Sequence, residues 1–112
     1  MNEREKGAMR EKAAMEVLRK KHFTIPATSS VNKQRGYDFD ASKDGQQYVV
    51  EVKGGNPEKN KNVPGLSLEQ MKTLANYRRK GYKALLMFVI HNECSIFELV
   101  DDSIPVPETS QT

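Results

Sequence analysis

The stretch YVVEVKGG, residues 48–55, sets Glu51 and Lys53 two positions apart at the end of an apolar run that breaks into glycine. Upstream, YDFDAS carries two more acids, Asp38 and Asp40. Between the two runs stand Asp44 and Gly45, the type of pair most favoured for a two-residue type I′ turn, which predicts an antiparallel hairpin with Lys43 opposite Gln46. In that register each pair of positions sums to 89, and Asp38 lies opposite Glu51. Side chains two apart share a face, so Asp38, Asp40, Glu51 and Lys53 are expected on one face and Tyr37, Phe39, Val50 and Val52 on the other. One face of the hairpin would then be ionic and the other apolar. Carboxylates directly opposite, with Cβ atoms about 5 Å apart, repel each other and weaken a hairpin unless a cation sits between them. Lys53 or a divalent metal could be that cation.

The chemistry such a group could perform is specific. Mg²⁺ and similar hard cations take carboxylate, carbonyl and water oxygens, often from only one or two protein carboxylates. Asp38 and Glu51 supply that set, with the Val52 carbonyl as a third ligand. A lysine one side chain away can orient an attacking water and stabilise charge that grows on a phosphate. The single cysteine, Cys94, can form neither an internal disulfide nor a cysteine-based metal cluster, so any metal must be held mainly by oxygen or imidazole. His22 and His91 are read as structural or exposed.

The elements that must position these residues follow from periodicity. Residues 5–21 predict a helix whose stripe is Gly7, Glu11, Ala14, Met15, Leu18 and His22. Glu11 falls near the middle of that stripe, where a carboxylate is costly without a partner, whereas Glu16 falls on the solvent side. A short strand, HFTIPA, should follow, then a polar loop, TSSVNKQRG, then the hairpin. GGNPEKNKNVPG reads as a mobile basic loop. A second helix should open at Ser67 and end at Gly81. YKALLMFVI is the near-continuous apolar run of a strand buried on both faces, and CSIFELV an edge strand after it. The order α, β, β, β, α, β, β predicts an α/β fold, a mixed sheet with a helix on each side.

At 112 residues the chain is expected to form one domain, with a core over about 7–100 and a loose acidic tail over 101–112. No apolar run reaches a membrane span and the N-terminal residues lack a signal-peptide pattern, so no membrane association and a cytoplasmic location are expected. Residues 1–90 hold all 18 Lys and Arg against 10 acids, a net charge of +8 that suits a polyanion partner. Lys59, Lys61, Arg78 and Arg79 are candidates for phosphate contacts.

Taken together, these residues resemble the PD-(D/E)xK nuclease superfamily, over roughly residues 7–100. EKAAMEVLRKKHF, residues 11–23, looks like that superfamily's first helix, where a glutamate precedes a small residue by three, a leucine by seven and an aromatic by twelve. GYD, twelve residues and EVK are similar to its Asp and (D/E)xK pair. EQMKTLANY, residues 69–77, looks like the following helix of archaeal Holliday junction resolvases, and TSSVNKQRGYD resembles their segment in which a serine precedes the metal-binding aspartate. Tyr37 stands where the superfamily name has proline, and His22 where glycine usually precedes the aromatic.

The resemblance implies a restriction-endonuclease-like αβββαβ core and divalent-metal-dependent cleavage of a nucleic acid backbone. Asp38 and Glu51 would bind Mg²⁺ or Mn²⁺, Lys53 would be the catalytic lysine, and Glu11 would reach the metal directly or through water. Gln70 would support the site, although Ser67 to Gln70 also fits the S-x-x-Q capping box, and both roles stay open. Ser30, Lys33 and Arg35 would join the basic residues in contacting nucleic acid. The expected activity is an endonuclease of DNA, branched DNA included, in repair or recombination. Junction cutting would require a homodimer, for which the YKALLMFVI strand or the edge after it could supply the surface. Alternatives are a nuclease subunit acting on linear DNA and a non-catalytic nucleic-acid-binding module of the same fold.

Overall fold

The computed structural model describes residues 2–26, 36–54, 66–91 and 93–99. Helix α1 spans Glu3–Lys20 and starts where Asn2 caps it, its side-chain oxygen accepting the Glu5 amide at 2.8 Å. Ala14, Met15 and Leu18 are its buried residues, and Glu16 is exposed. The helix ends in a Schellman motif: Phe23 N–H donates to the Leu18 carbonyl and His22 N–H to that of Arg19, both at 3.0 Å. His22 holds the left-handed conformation there, φ 72°, which explains why a glycine would also suit that position.

Strands β1 (Phe39–Lys43) and β2 (Gln46–Gly54) form the expected hairpin in the expected register, from Lys43 opposite Gln46 to Phe39 opposite Val50. Asp44 and Gly45 both take positive φ, 51° and 81°, as a type I′ turn requires. Helix α2 (Leu68–Arg79) precedes β3 (Lys83–Ile90), which pairs parallel to β2; β4 (Glu93–Leu99) then returns antiparallel to β3. The sheet order is β1-β2-β3-β4, with β4 at an edge and Ala84–Val89 of β3 buried throughout. The fold is α/β, a mixed sheet covered on both faces.

Alternation along β2 divides the core. Val50 packs with Phe39, Met87, Ala14 and Leu18 beneath α1, whereas Val49 packs with Leu66, Leu74, Ala84, Leu86 and Phe88 beneath α2. Burying a side chain such as Leu18 or Leu74 contributes roughly 1.5–3 kcal/mol apiece. These two layers pack β2 between the helices.

Three expectations are corrected. The hairpin has no purely ionic face: the face bearing Glu51 and Lys53 begins with buried Val49, because α2 covers it. Tyr37 does not join Phe39; it lies in the α2 layer, edge-on to Tyr77 with ring centres 5.0 Å apart. Alternation fails there because β1 starts only at Phe39, after Gly36 at φ 84°. The strand predicted in HFTIPA reduces to one antiparallel bridge, Thr24 to Ser42, since Pro26 has no N–H to prolong a ladder. Nearly all of the polar loop, nearly all of the basic loop and the acidic tail lie outside the described residues. No helix among the described residues is long and apolar enough to cross a membrane.

Candidate active site

The acid and lysine of the opening motif sit at the carboxyl end of β2, the end of a parallel strand at which open α/β sheets place their ligands. β1 ends its ladder one residue short of Asp38, and Asp38 carries the pairing on with both its backbone and its side chain. Its amide donates to the Val50 carbonyl at 2.9 Å, and its Oδ2 accepts the Val52 amide at 2.7 Å. The carboxylate is thereby fixed against β2 by a backbone donor. N–H and C=O of one strand residue point to the same edge, so the Val52 carbonyl also points toward Asp38, beyond the end of the β1 ladder.

Opposite Asp38, Glu51 is buried at 5% exposure, the one buried charged residue among those described. Its carboxyl is pushed up to about 9, first by burial, then by its hydrogen bond with Asp38 and that neighbour's charge, with Glu11 adding to the rise and Lys53 opposing it. Without a cation, a proton on Glu51, hydrogen-bonded to Asp38, would relieve the expected repulsion. Lys53 alone does not neutralise the pair.

Lys53 Nζ donates to Gln70 Oε1 at 3.2 Å, and the same oxygen accepts the Ser67 amide at 3.0 Å. Ser67 Oγ in turn accepts the Gln70 amide at 3.1 Å, completing the capping box. The two roles open for Gln70 are thus combined in one atom: the cap holds the amide that holds the lysine. Asp40, the acid within β1, accepts the Tyr37 hydroxyl at 2.7 Å and pairs with Val49.

The structure brings Asp38, Glu51, Val52, Lys53 and Gln70 together, with Glu11 half-buried on α1 and within electrostatic reach of Glu51. It does not bring Arg78 and Arg79 there. They lie in the last turn of α2, roughly 12 Å along the helix from Gln70. Ser30, Lys33, Arg35, Lys59 and Lys61 fall outside the described residues. Among the described residues, no group of three or more His, Cys, Asp and Glu is placed to hold a metal. Two facing carboxylates and a nearby carbonyl still fit a hard cation that keeps most of its waters. A cation bound there would displace the proton that burial favours on Glu51.

Comparison with known proteins bears on this arrangement. The family model described as Protein NO VEIN, C-terminal, matches residues 10–99. The chain belongs to that family. No curated protein matches the chain. Among solved structures it is similar to Hjc of Archaeoglobus fulgidus, a Holliday junction resolvase from an archaeal hyperthermophile, with a TM-score of 0.56 at 18% identity. That alignment covers 93% of this chain and 98% of Hjc. This NO VEIN C-terminal domain therefore has the restriction-endonuclease-like fold of the PD-(D/E)xK nucleases.

The NO VEIN C-terminal match runs from within α1 to the end of β4 and so includes every residue of the cluster. Its first residue, Arg10, was missed by the sequence reading. Arg10 lies four before Ala14 and eight before Leu18 on the sheet-facing row of α1, and that spacing was the available signal.

Proposed function

We propose that this chain is a divalent-metal-dependent endonuclease that hydrolyses phosphodiester bonds in DNA, branched DNA included. The observation that carries the reading is the Asp38–Glu51 pair held beside a lysine that is itself fixed by Gln70. The fold shared with a junction resolvase supports it.

In this reading Asp38, Glu51 and the Val52 carbonyl hold Mg²⁺ or Mn²⁺, and Glu11 acts through water. The bound cation supplies Lewis acidity and neutralises charge on the phosphate. Lys53, kept in place by Gln70, donates to a phosphate oxygen as charge builds there. Water adds to phosphorus, a bridging P–O bond breaks, and the leaving oxygen takes a proton. The N-terminus of α2, with its partial positive charge, faces the same end of β2 as the substrate would.

Two symmetric cuts in a junction need two sites, so the active form would be a homodimer. The buried β3 has no free face to offer, which leaves the edge strand β4, where Phe97 is 46% exposed.

The test is cleavage of labelled four-way junction, flap, linear duplex and single-stranded DNA with Mg²⁺, Mn²⁺ or EDTA, with Lys53→Ala as the contamination control. Paired cuts in the junction alone support a resolvase. Broad metal-dependent cutting assigns a general nuclease of a restriction, repair or mobile-element system. Salt-sensitive binding with no cutting in any metal would make the domain a binding module and overturn the catalytic reading.

A further inference from the structure

The last residue of β2 carries a feature that the carboxylate cluster does not use. A Cβ built on Gly54 would lie 2.6 Å from both Cζ and Nε of Arg10 and 2.9 Å from its Nη2. The guanidinium is therefore laid against the glycine backbone, in space that any other residue would fill. Gly54 directly follows Lys53, roughly 3.3 Å farther along the strand. Even positions of β2, such as Val50 and Val52, turn toward α1, whereas Glu51 and Lys53 turn toward α2. Arg10 and Lys53 thus flank the strand end from opposite faces.

The placement of this charge argues against a purely internal role. The charged neighbours that shift Glu51 are Asp38, Lys53 and Glu11. Arg10, half-buried, is not among them. A guanidinium is permanently charged, and its fork of N–H donors matches two oxygens of one phosphate. Lying against a backbone with no side chain between, it loses little further freedom when it binds.

We infer that Arg10 grips a backbone phosphate adjacent to the one that is cut, and that Gly54 exists as a glycine to seat its guanidinium. This rests on the nuclease reading above. Arg10 sets the position of the strand, so that the neighbouring phosphate falls at Lys53 and the Asp38–Glu51 pair.

The test measures binding of labelled four-way junction and linear duplex DNA over a range of salt in EDTA, and cleavage in Mg²⁺, for wild type, Arg10→Ala, Arg10→Lys, Gly54→Ala and the Arg10→Ala/Gly54→Ala double variant. Thermal melts establish that each is folded; the atoms that Gly54→Ala displaces are the far end of a flexible side chain. Loss of one charge-assisted contact should weaken binding by about tenfold in Arg10→Ala and flatten the slope of log affinity against log salt by about 0.9. Arg10→Lys should keep the slope and lose affinity. Gly54→Ala should reproduce much of the Arg10→Ala defect, and the double variant should be no worse than Arg10→Ala, since both remove one interaction. An unchanged salt slope in Arg10→Ala while wild type binds and cuts would overturn this inference alone. So would Gly54→Ala behaving as wild type, or the two defects multiplying in the double variant. Wild type that neither binds nor cuts DNA would overturn the nuclease reading together with it.

Discussion

Glu51→Gln should make the metal-free protein more stable at neutral pH. The carboxyl titrates near 9 in the folded chain against 4.5 in its ordinary state, with burial the first cause and Asp38 the second. Because the folded value is the higher one, folding takes up a proton throughout that window, and the stability present at low pH is lost as pH rises. Each pH unit removes about 1.4 kcal/mol, so the cost reaches about 3 kcal/mol by pH 7. Glutamine keeps the shape and a donor toward Asp38 but cannot ionise. The two proteins should match near pH 4.5 and diverge above it, with the variant melting roughly 10 °C higher at pH 7. Mg²⁺ should then stabilise wild type, by about 2.7 kcal/mol at a hundredfold excess over Kd, and leave Glu51→Gln unmoved. Thermal and urea unfolding from pH 5 to 8.5, in EDTA and in Mg²⁺, measures all of this. Wild-type stability that stays flat over that range, or a variant less stable than wild type at pH 7, would refute the shared proton.

Other outcomes follow from single contacts. Ser67→Ala and Gln70→Ala should each cost about 1 kcal/mol of stability through the α2 cap, but Gln70→Ala also strips the acceptor from Lys53 and should slow single-turnover cleavage on the order of tenfold more. His22→Gly should raise stability by about 0.5–1 kcal/mol, read by urea titration, because it relieves a left-handed non-glycine residue while adding freedom to the unfolded chain. Tyr37→Phe should cost about 1 kcal/mol by removing the bond to Asp40, with metal-dependent cutting retained. Loss of cutting in that variant would bring Asp40 into the site.

The hairpin was legible because the Asp44–Gly45 turn admits few registers, and that register extended one residue past Phe39 brings Asp38 near Glu51, to which its side chain is hydrogen-bonded. Both helices were legible from their stripes, and α2 also from its flanking residues Ser67 and Gly81. Tyr37 was misplaced because alternation holds only inside a strand, and the break at Gly36 falls before one begins. The HFTIPA strand was overcalled since burial of Ile25 mimics a strand residue while Pro26 denies it a ladder. The dual use of Gln70 Oε1 is a three-dimensional coincidence of a cap and a neighbouring strand end, which no spacing within α2 encodes. Arg10 was hidden for a related reason. Its partner is the absence of a side chain forty-four residues away.

Single-turnover cleavage of labelled four-way junction DNA by wild type and Lys53→Ala, each in Mg²⁺ and in EDTA, is the decisive measurement for the metal-dependent site. Cutting by wild type in Mg²⁺ only, with Lys53→Ala folded but slower by at least about a hundredfold, is the predicted result. Equal cutting by both proteins in Mg²⁺, or cutting by wild type that persists in EDTA, would contradict a metal-dependent site built on Asp38, Glu51 and Lys53.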